Sequence, residues 1–131
     1  MNVLLAEDDK VQSRYLERHL VDRGFIVHVA FDAQTAWECA EKSPPDVIVL
    51  DLHMPGGTGL TFLKRKNGSS LLRDVPVIVT TAMEDPMVRR LAEQQGVEAL
   101  FSKPVDLILL DVTLESVRAR FAQRHSREKT S

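Results

Sequence analysis

The chain has 131 residues, 44% of them hydrophobic and 27% charged, with a formal net charge of −2. A chain of this length builds one domain that buries roughly two-thirds of the surface its unfolded form exposes. This balance excludes intrinsic disorder and a dedicated nucleic-acid binder, and no apolar run reaches the ~20 residues of a bilayer span. Met1-Asn2 leads straight into VLLA and acids without a basic leader, so a cytoplasmic protein is expected. Cys39 is the only cysteine, which rules out an internal disulfide and a cysteine-based metal cluster. Charge is uneven: residues 118–131 carry five Lys/Arg and one acid, leaving an acidic body of 12 bases and 18 acids.

Five short apolar runs alternate with segments of helical spacing, the pattern of an α/β domain with a parallel sheet. NVLLA (2–6) precedes a helix from about Asp9 to Arg23, ended by Gly24 in a left-handed position. FIVHVA (25–30) precedes Asp32, an N-cap, and a helix whose Ala33, Ala36, Trp37 and Ala40 share one apolar face with Cys39 packed alongside. VIVL (47–50) follows Pro44-Pro45, runs into Asp51, and is succeeded by GGTG and a short helix bearing Leu60 and Leu63. VPVIVT (75–80) leads to Asp85-Pro86, the cap and first position of a helix ending at Gly96. EALFS (98–102) leads through Lys103-Pro104 into the last helix, where Leu107, Leu110, Leu114, Val117 and Phe121, spaced 3, 4, 3 and 4, form one stripe. The first turns of that stripe are expected to pack on the sheet and its far end to serve a partner. Residues 1–122 are expected to form the domain, and 123–131 a basic polar tail or the start of a linker.

Right-handed crossovers make this a (βα)₅ fold with helices on both faces of the sheet. In such a sheet ligands bind outside the carboxyl ends of the strands. There the first strand delivers Glu7, Asp8 and Asp9, the third Asp51, the fourth Thr80 and Thr81, and the fifth Lys103. Carboxylates facing one another across neighbouring strand ends repel unless a cation lies between them, and Mg²⁺ is the oxygen-preferring choice, with Mn²⁺ as the alternative ion. Such an ion keeps positions for a phosphate oxygen. Lys103 neutralises phosphoryl charge from the other side, Thr81 offers a hydroxyl, and Asp51, central among them, is the best nucleophile. No Ser-His-Asp or Cys-His set competes with it, nor a GxxxxGK[ST] or GxGxxG loop. The His53 side chain is read as a loop group at the site mouth, because Mg²⁺ avoids imidazole.

LLAEDD, VIVLDLHMPGGTGL, PVIVTTA and FSKP, in this order, resemble the receiver domain of two-component response regulators, of the CheY-like type. The resemblance covers residues 1 to about 122. It implies a flavodoxin-like, three-layer α/β/α fold with strand order 2-1-3-4-5. It also implies phosphoryl transfer to Asp51 from a sensor histidine kinase, a phosphotransfer protein or a small phosphodonor. By position, Asp8 is the direct Mg²⁺ ligand, Glu7 acts through water, and the backbone carbonyl of His53 is the third protein ligand. Thr81 is the hydroxyl that moves toward the phosphoryl group, with Ala82 leaving room for it and Lys103 binding phosphate. The His53 side chain and Met83 fall where the family tunes phosphoryl lifetime, and Lys103-Pro104 where it holds a cis bond. Phosphorylation would change a surface made of the fourth helix, the fifth strand and the last helix.

One position departs from the family. Where an aromatic switch usually stands, three residues before Lys103, this chain has Leu100, and Phe101 is expected on the opposite face of the sheet. The resemblance further implies no enzyme activity beyond self-phosphorylation and self-dephosphorylation. Nucleic acid would be reached only through an output domain outside these residues. A homodimer is expected through the same switching surface, with Leu110, Leu114, Val117 and Phe121 as its apolar contact. Two other readings are a phosphatase of the haloacid-dehalogenase type, disfavoured because its DxDx[TV] motif follows a first strand, and a phosphate-independent docking pseudo-receiver. The intact set Glu7, Asp8, Asp51, Thr81 and Lys103 argues against the latter.

Overall fold

Alternating apolar side chains divide each strand between two layers of helix. The computed structural model describes residues 1–54, 58–82 and 85–130, with 125–130 described by backbone alone. The strands are β1 (Asn2–Ala6), β2 (Ile26–Ala30), β3 (Val47–Asp51), β4 (Val77–Thr81) and β5 (Ala99–Ser102). The helices are α1 (Lys10–Asp22), α2 (Ala33–Lys42), α3 (Gly59–Asn67), α4 (Pro86–Gln94) and α5 (Leu107–Thr130). All strand pairs are parallel, in the order β2-β1-β3-β4-β5, which is the flavodoxin-like order expected.

Leu4, Ala6, Ile48, Leu50, Val77 and Val79 face α2, α3 and α4, whereas Val3, Leu5, Val47, Val49 and Ile78 face α1 and α5. Helices on both faces explain why β3 and β4 are buried along their whole length. The order reverses between β1 and β3, so the crevice beyond their carboxyl ends is the natural ligand site.

Local chemistry sets the helix ends. The carboxylate of Asp9 accepts from the N–H groups of Val11 and Gln12, and that of Asp32 from Thr35 N–H, so each acid caps its helix rather than lying inside it. Asp85 caps α4 in the same way, with Pro86 at its first position. Gly24 and Gly96 take φ of 90° and 77°, the left-handed conformation that lets the chain leave α1 and α4. The Lys103-Pro104 bond is cis, as the resemblance implies.

The stripe on α5 packs on the sheet as expected, but further along than expected, and the partner contact assigned to it needs correction. Leu110, Leu114 and Val117 are buried in the core against β1, β3 and β4. A stripe used in this way is not available to a second copy, and the dimer contact assigned to it is withdrawn. The backbone of α5 continues to Thr130, through the residues expected to form a basic polar tail or the start of a linker.

Candidate functional site

The carboxyl ends of β1, β3 and β5 bring together one basic and three acidic side chains. Lys103 Nζ donates to Glu7 Oε1 at 2.6 Å and to Asp51 Oδ2 at 3.0 Å. The other Asp51 oxygen accepts from the His53 N–H at 2.9 Å, so the turn after β3 fixes the carboxylate from behind. Two backbone bonds brace the frame: Leu52 N–H to the Thr80 carbonyl at 3.0 Å, and Lys103 N–H to the Thr81 carbonyl at 2.8 Å. Glu7 and Asp51 are 1% and 2% exposed, while Asp8 projects into solvent. One oxygen from each of Glu7, Asp8 and Asp51 lies within 4.8 Å of the others. The second Glu7 oxygen, Oε2, is buried and has no hydrogen-bond partner among the described residues.

Burial and crowding move the protons. Desolvation, with the neighbouring Asp51 carboxyl, pushes Glu7 up to about 7, although Lys103 pulls the other way. Burial also raises Asp51, but hydrogen bonding from Glu7, the His53 N–H and Lys103 outweighs it and holds Asp51 below the usual carboxylate range. Burial alone would lower Lys103, yet its bonds to Glu7 and Asp51 raise it instead. The same contacts favour the charged forms of Asp51 and Lys103 and leave Glu7 as the group that takes up a proton most readily near neutral pH.

Residues 3–115 match the family described as the response regulator receiver domain. This chain belongs to the response regulator receiver family. Response regulator PleD of Caulobacter vibrioides is 30% identical over 115 residues, 88% of this chain and 25% of its own length. Transcriptional regulatory protein TctD of Salmonella typhimurium is 34% identical over 93% of this chain and 54% of its own. The receiver thus spans about a quarter to a half of these longer relatives. Among solved structures, the chemotaxis response regulator CheY4 of Vibrio cholerae superposes with a TM-score of 0.81 at 28% identity, covering 88% of this chain and 97% of that one. The family is a signalling domain rather than a conventional enzyme.

Within this receiver, Glu7, Asp8, Asp51 and Lys103 converge as the strand-end argument requires. Thr81 is buried at the end of β4, with Ala82 exposed just beyond it. Met83, assigned to tuning, lies outside the described residues. Leu100 packs on the α2, α3 and α4 side and Phe101 on the α1 and α5 side, so the neighbouring aromatic does not replace the missing one. Sequence reasoning passed over Gly59. A Cβ there would lie 2.6 Å from Leu52 Cα and 3.1 Å from the Asp51 carbonyl, so only glycine lets α3 start this close behind the acid. The signal was present in GGTG, which was noted only as the stretch before the short helix.

Proposed function

We propose that this receiver is a phosphoryl-accepting switch in which Asp51 is the acceptor. One observation carries the reading: a 2%-exposed aspartate with one oxygen on Lys103 Nζ at 3.0 Å, facing two further acids within 4.8 Å. In the transfer the P–N bond of a phosphohistidine breaks, an Asp51 O–P bond forms, and the histidine departs as a neutral imidazole once it takes a proton. Lys103 turns from Asp51 toward the new phosphoryl oxygens, and the Thr81 hydroxyl takes another.

The residues present fit a hard divalent cation. The partnerless Glu7 Oε2 and the exposed Asp8 supply oxygen donors, and Asp51 and the His53 carbonyl complete the set assigned to Mg²⁺, or to Mn²⁺. A bound ion would supply charge neutralisation between acceptor and phosphoryl group. Glu7, raised to about 7, would exchange its proton for such an ion near neutral pH.

The donor is a histidine kinase or phosphotransfer protein, and the receiver itself performs at most self-phosphorylation and self-dephosphorylation. The changed surface is the α4-β5-α5 face. Met87 and Leu91 on α4 and Leu109 and Val112 on α5 are exposed apolar groups there, and they replace the buried stripe as the contact for a homodimer. No helix among the described residues is long and apolar enough to cross a membrane; we place the receiver, residues 1–122, in the cytoplasm, with any nucleic-acid contact made by an output domain. The test is titration with Mg²⁺ and beryllofluoride followed by backbone amide NMR. Shifts at Asp51, Thr81 and Lys103 that Asp51→Asn abolishes support the reading, and a wild-type spectrum that does not move sinks it.

A further inference from the structure

The sheet ends on β2 at one side and on β5, inside the switching face, at the other. Edge strands are commonly guarded by lysine, proline or a bulge, because their unpaired N–H and C=O groups invite a further strand. β2 reads IVHVA, contains neither lysine nor proline, and pairs with β1 residue for residue without a bulge. Two bonds fix how its backbone faces: Ile26 N–H donates to the Met1 carbonyl at 3.0 Å, and the Ala30 carbonyl accepts from Glu7 N–H at 3.0 Å. Residues 26, 28 and 30 therefore turn their backbone groups toward β1, and alternation turns the N–H and C=O of Val27 and Val29 outward from the edge. The Val27 and Val29 side chains pack on the α1 side, whereas His28 is exposed on the α2 side beside Leu4, Cys39 and Lys42, and Ile26 is 60% exposed.

IVHVA reads nearly the same in both directions about its central histidine. We propose that β2 pairs antiparallel with β2 of a second copy of this chain, about a two-fold axis through His28. Val27 of each copy then exchanges backbone hydrogen bonds with Val29 of the other, and every outward group of these valines is used. Sliding the strands by two residues would set Val29 opposite Phe25, whose N–H is already given to the Leu20 carbonyl, or Val27 opposite Phe31, beyond the end of the strand. In the centred register His28 faces His28 as a close pair, and each Ile26 is covered by Ala30 of the other copy. Arg14 and Glu17 of α1 lie beside Val29, opposite charges that a two-fold axis sets across from each other. An unrelated extended segment would lack this two-fold match, so the second copy is the occupant the strand fits. The product is one ten-stranded sheet. Antiparallel pairing points the two Asp51 rims in opposite directions and leaves both β5 edges outermost, so the pair forms without activation and does not depend on the phosphoacceptor reading.

Sedimentation velocity on the full chain, over a concentration series in EDTA and without a phosphodonor, tests the pairing with the switching face unactivated. The wild type is expected to show a monomer-dimer equilibrium, weak because two short strands bury less than the about 1,200 Å² of a stable complex. His28→Lys sets two ammonium groups face to face and is expected to weaken dimerisation about tenfold or more. His28→Val keeps an uncharged strand former at the axis and is expected to dimerise as the wild type does. Register is read by oxidation in a Cys39→Ser background. There His28→Cys is expected to cross-link across the axis, where the Cα atoms lie about 4.5 Å apart. Ile26→Cys is expected not to, because its counterpart lies about 13 Å further along the strand. A wild type that stays monomeric across the series would overturn the pairing. So would a His28→Lys dimer as tight as wild type, or an Ile26→Cys protein that cross-links as readily as His28→Cys.

Discussion

Replacing Glu7 with glutamine keeps the side chain's shape and an oxygen for Lys103, and removes the ability to ionise. In the folded, metal-free protein the Glu7 carboxyl sits at about 7 rather than 4.5, chiefly because burial disfavours its charge. A raised value means that the folded state holds the proton more tightly than the unfolded state does. The stabilising contribution is therefore complete below 4.5 and lost as pH rises through about 7. At 1.36 kcal/mol per pH unit, the loss by pH 8 approaches about 3 kcal/mol. Glutamine behaves as a permanently protonated Glu7 and escapes this loss. In EDTA, urea unfolding followed by Trp37 fluorescence should find Glu7→Gln more stable than wild type by about 1–3 kcal/mol at pH 8 and equal to it at pH 4. Added Mg²⁺ should stabilise the wild type at pH 8 and stabilise the variant less, because Asp8, Asp51 and the His53 carbonyl remain. A variant less stable than wild type at pH 8, or a difference that is the same at both pH values, would refute the reasoning.

Lys103→Ala leaves two buried carboxylates without their cation and should lower stability by about 3 kcal/mol at pH 8, measured by the same unfolding assay; the deficit should shrink at pH 5, where Glu7 is protonated. Gly59→Ala drives a Cβ into Leu52 Cα at 2.6 Å, and the backbone shift should cost about 3 kcal/mol and displace the amide resonance of Asp51; a wild-type melting curve would disprove the close approach. Asp111→Asn removes a carboxylate whose partners His19 and Arg23 hold it below its ordinary 3.8 although partial burial opposes them. A depressed value contributes stability above 3.8 that is lost as pH falls, so the variant should be about 1 kcal/mol weaker at neutral pH and converge with wild type in acid, as thermal unfolding across pH would show.

The strand order and site were legible because each rests on a short-range pattern. Apolar runs such as VIVL mark strands covered on both faces, and strand-end acids and Lys103 gain meaning only when topology places them on one rim. Caps were legible too: Asp32 and Asp85 precede helical spacing, and Asp9, read as the start of the first helix, is its N-cap. The α5 stripe shows a sharper limit. A 3-4 spacing says that one face is apolar but not what covers it, and the sheet covers Leu110, Leu114 and Val117. The Asp111 grip by His19 and Arg23 spans some ninety positions and has no local signature. The hydrogen bond from Asn67 to the Gln95 carbonyl is similar, since an asparagine at a helix end reads as a stop signal until Gln95 is seen beside it.

The central claim is that Asp51 accepts a phosphoryl group with the help of a divalent ion. Intact-mass spectrometry after incubation with acetyl phosphate or a phosphohistidine donor, with Mg²⁺ and with EDTA, addresses it directly. The wild type with Mg²⁺ should gain the mass of one phosphoryl group, and neither the EDTA sample nor Asp51→Asn should gain it. An Asp51→Asn protein that takes up the group as readily as wild type, or a wild type that takes up none from either donor, would contradict the account.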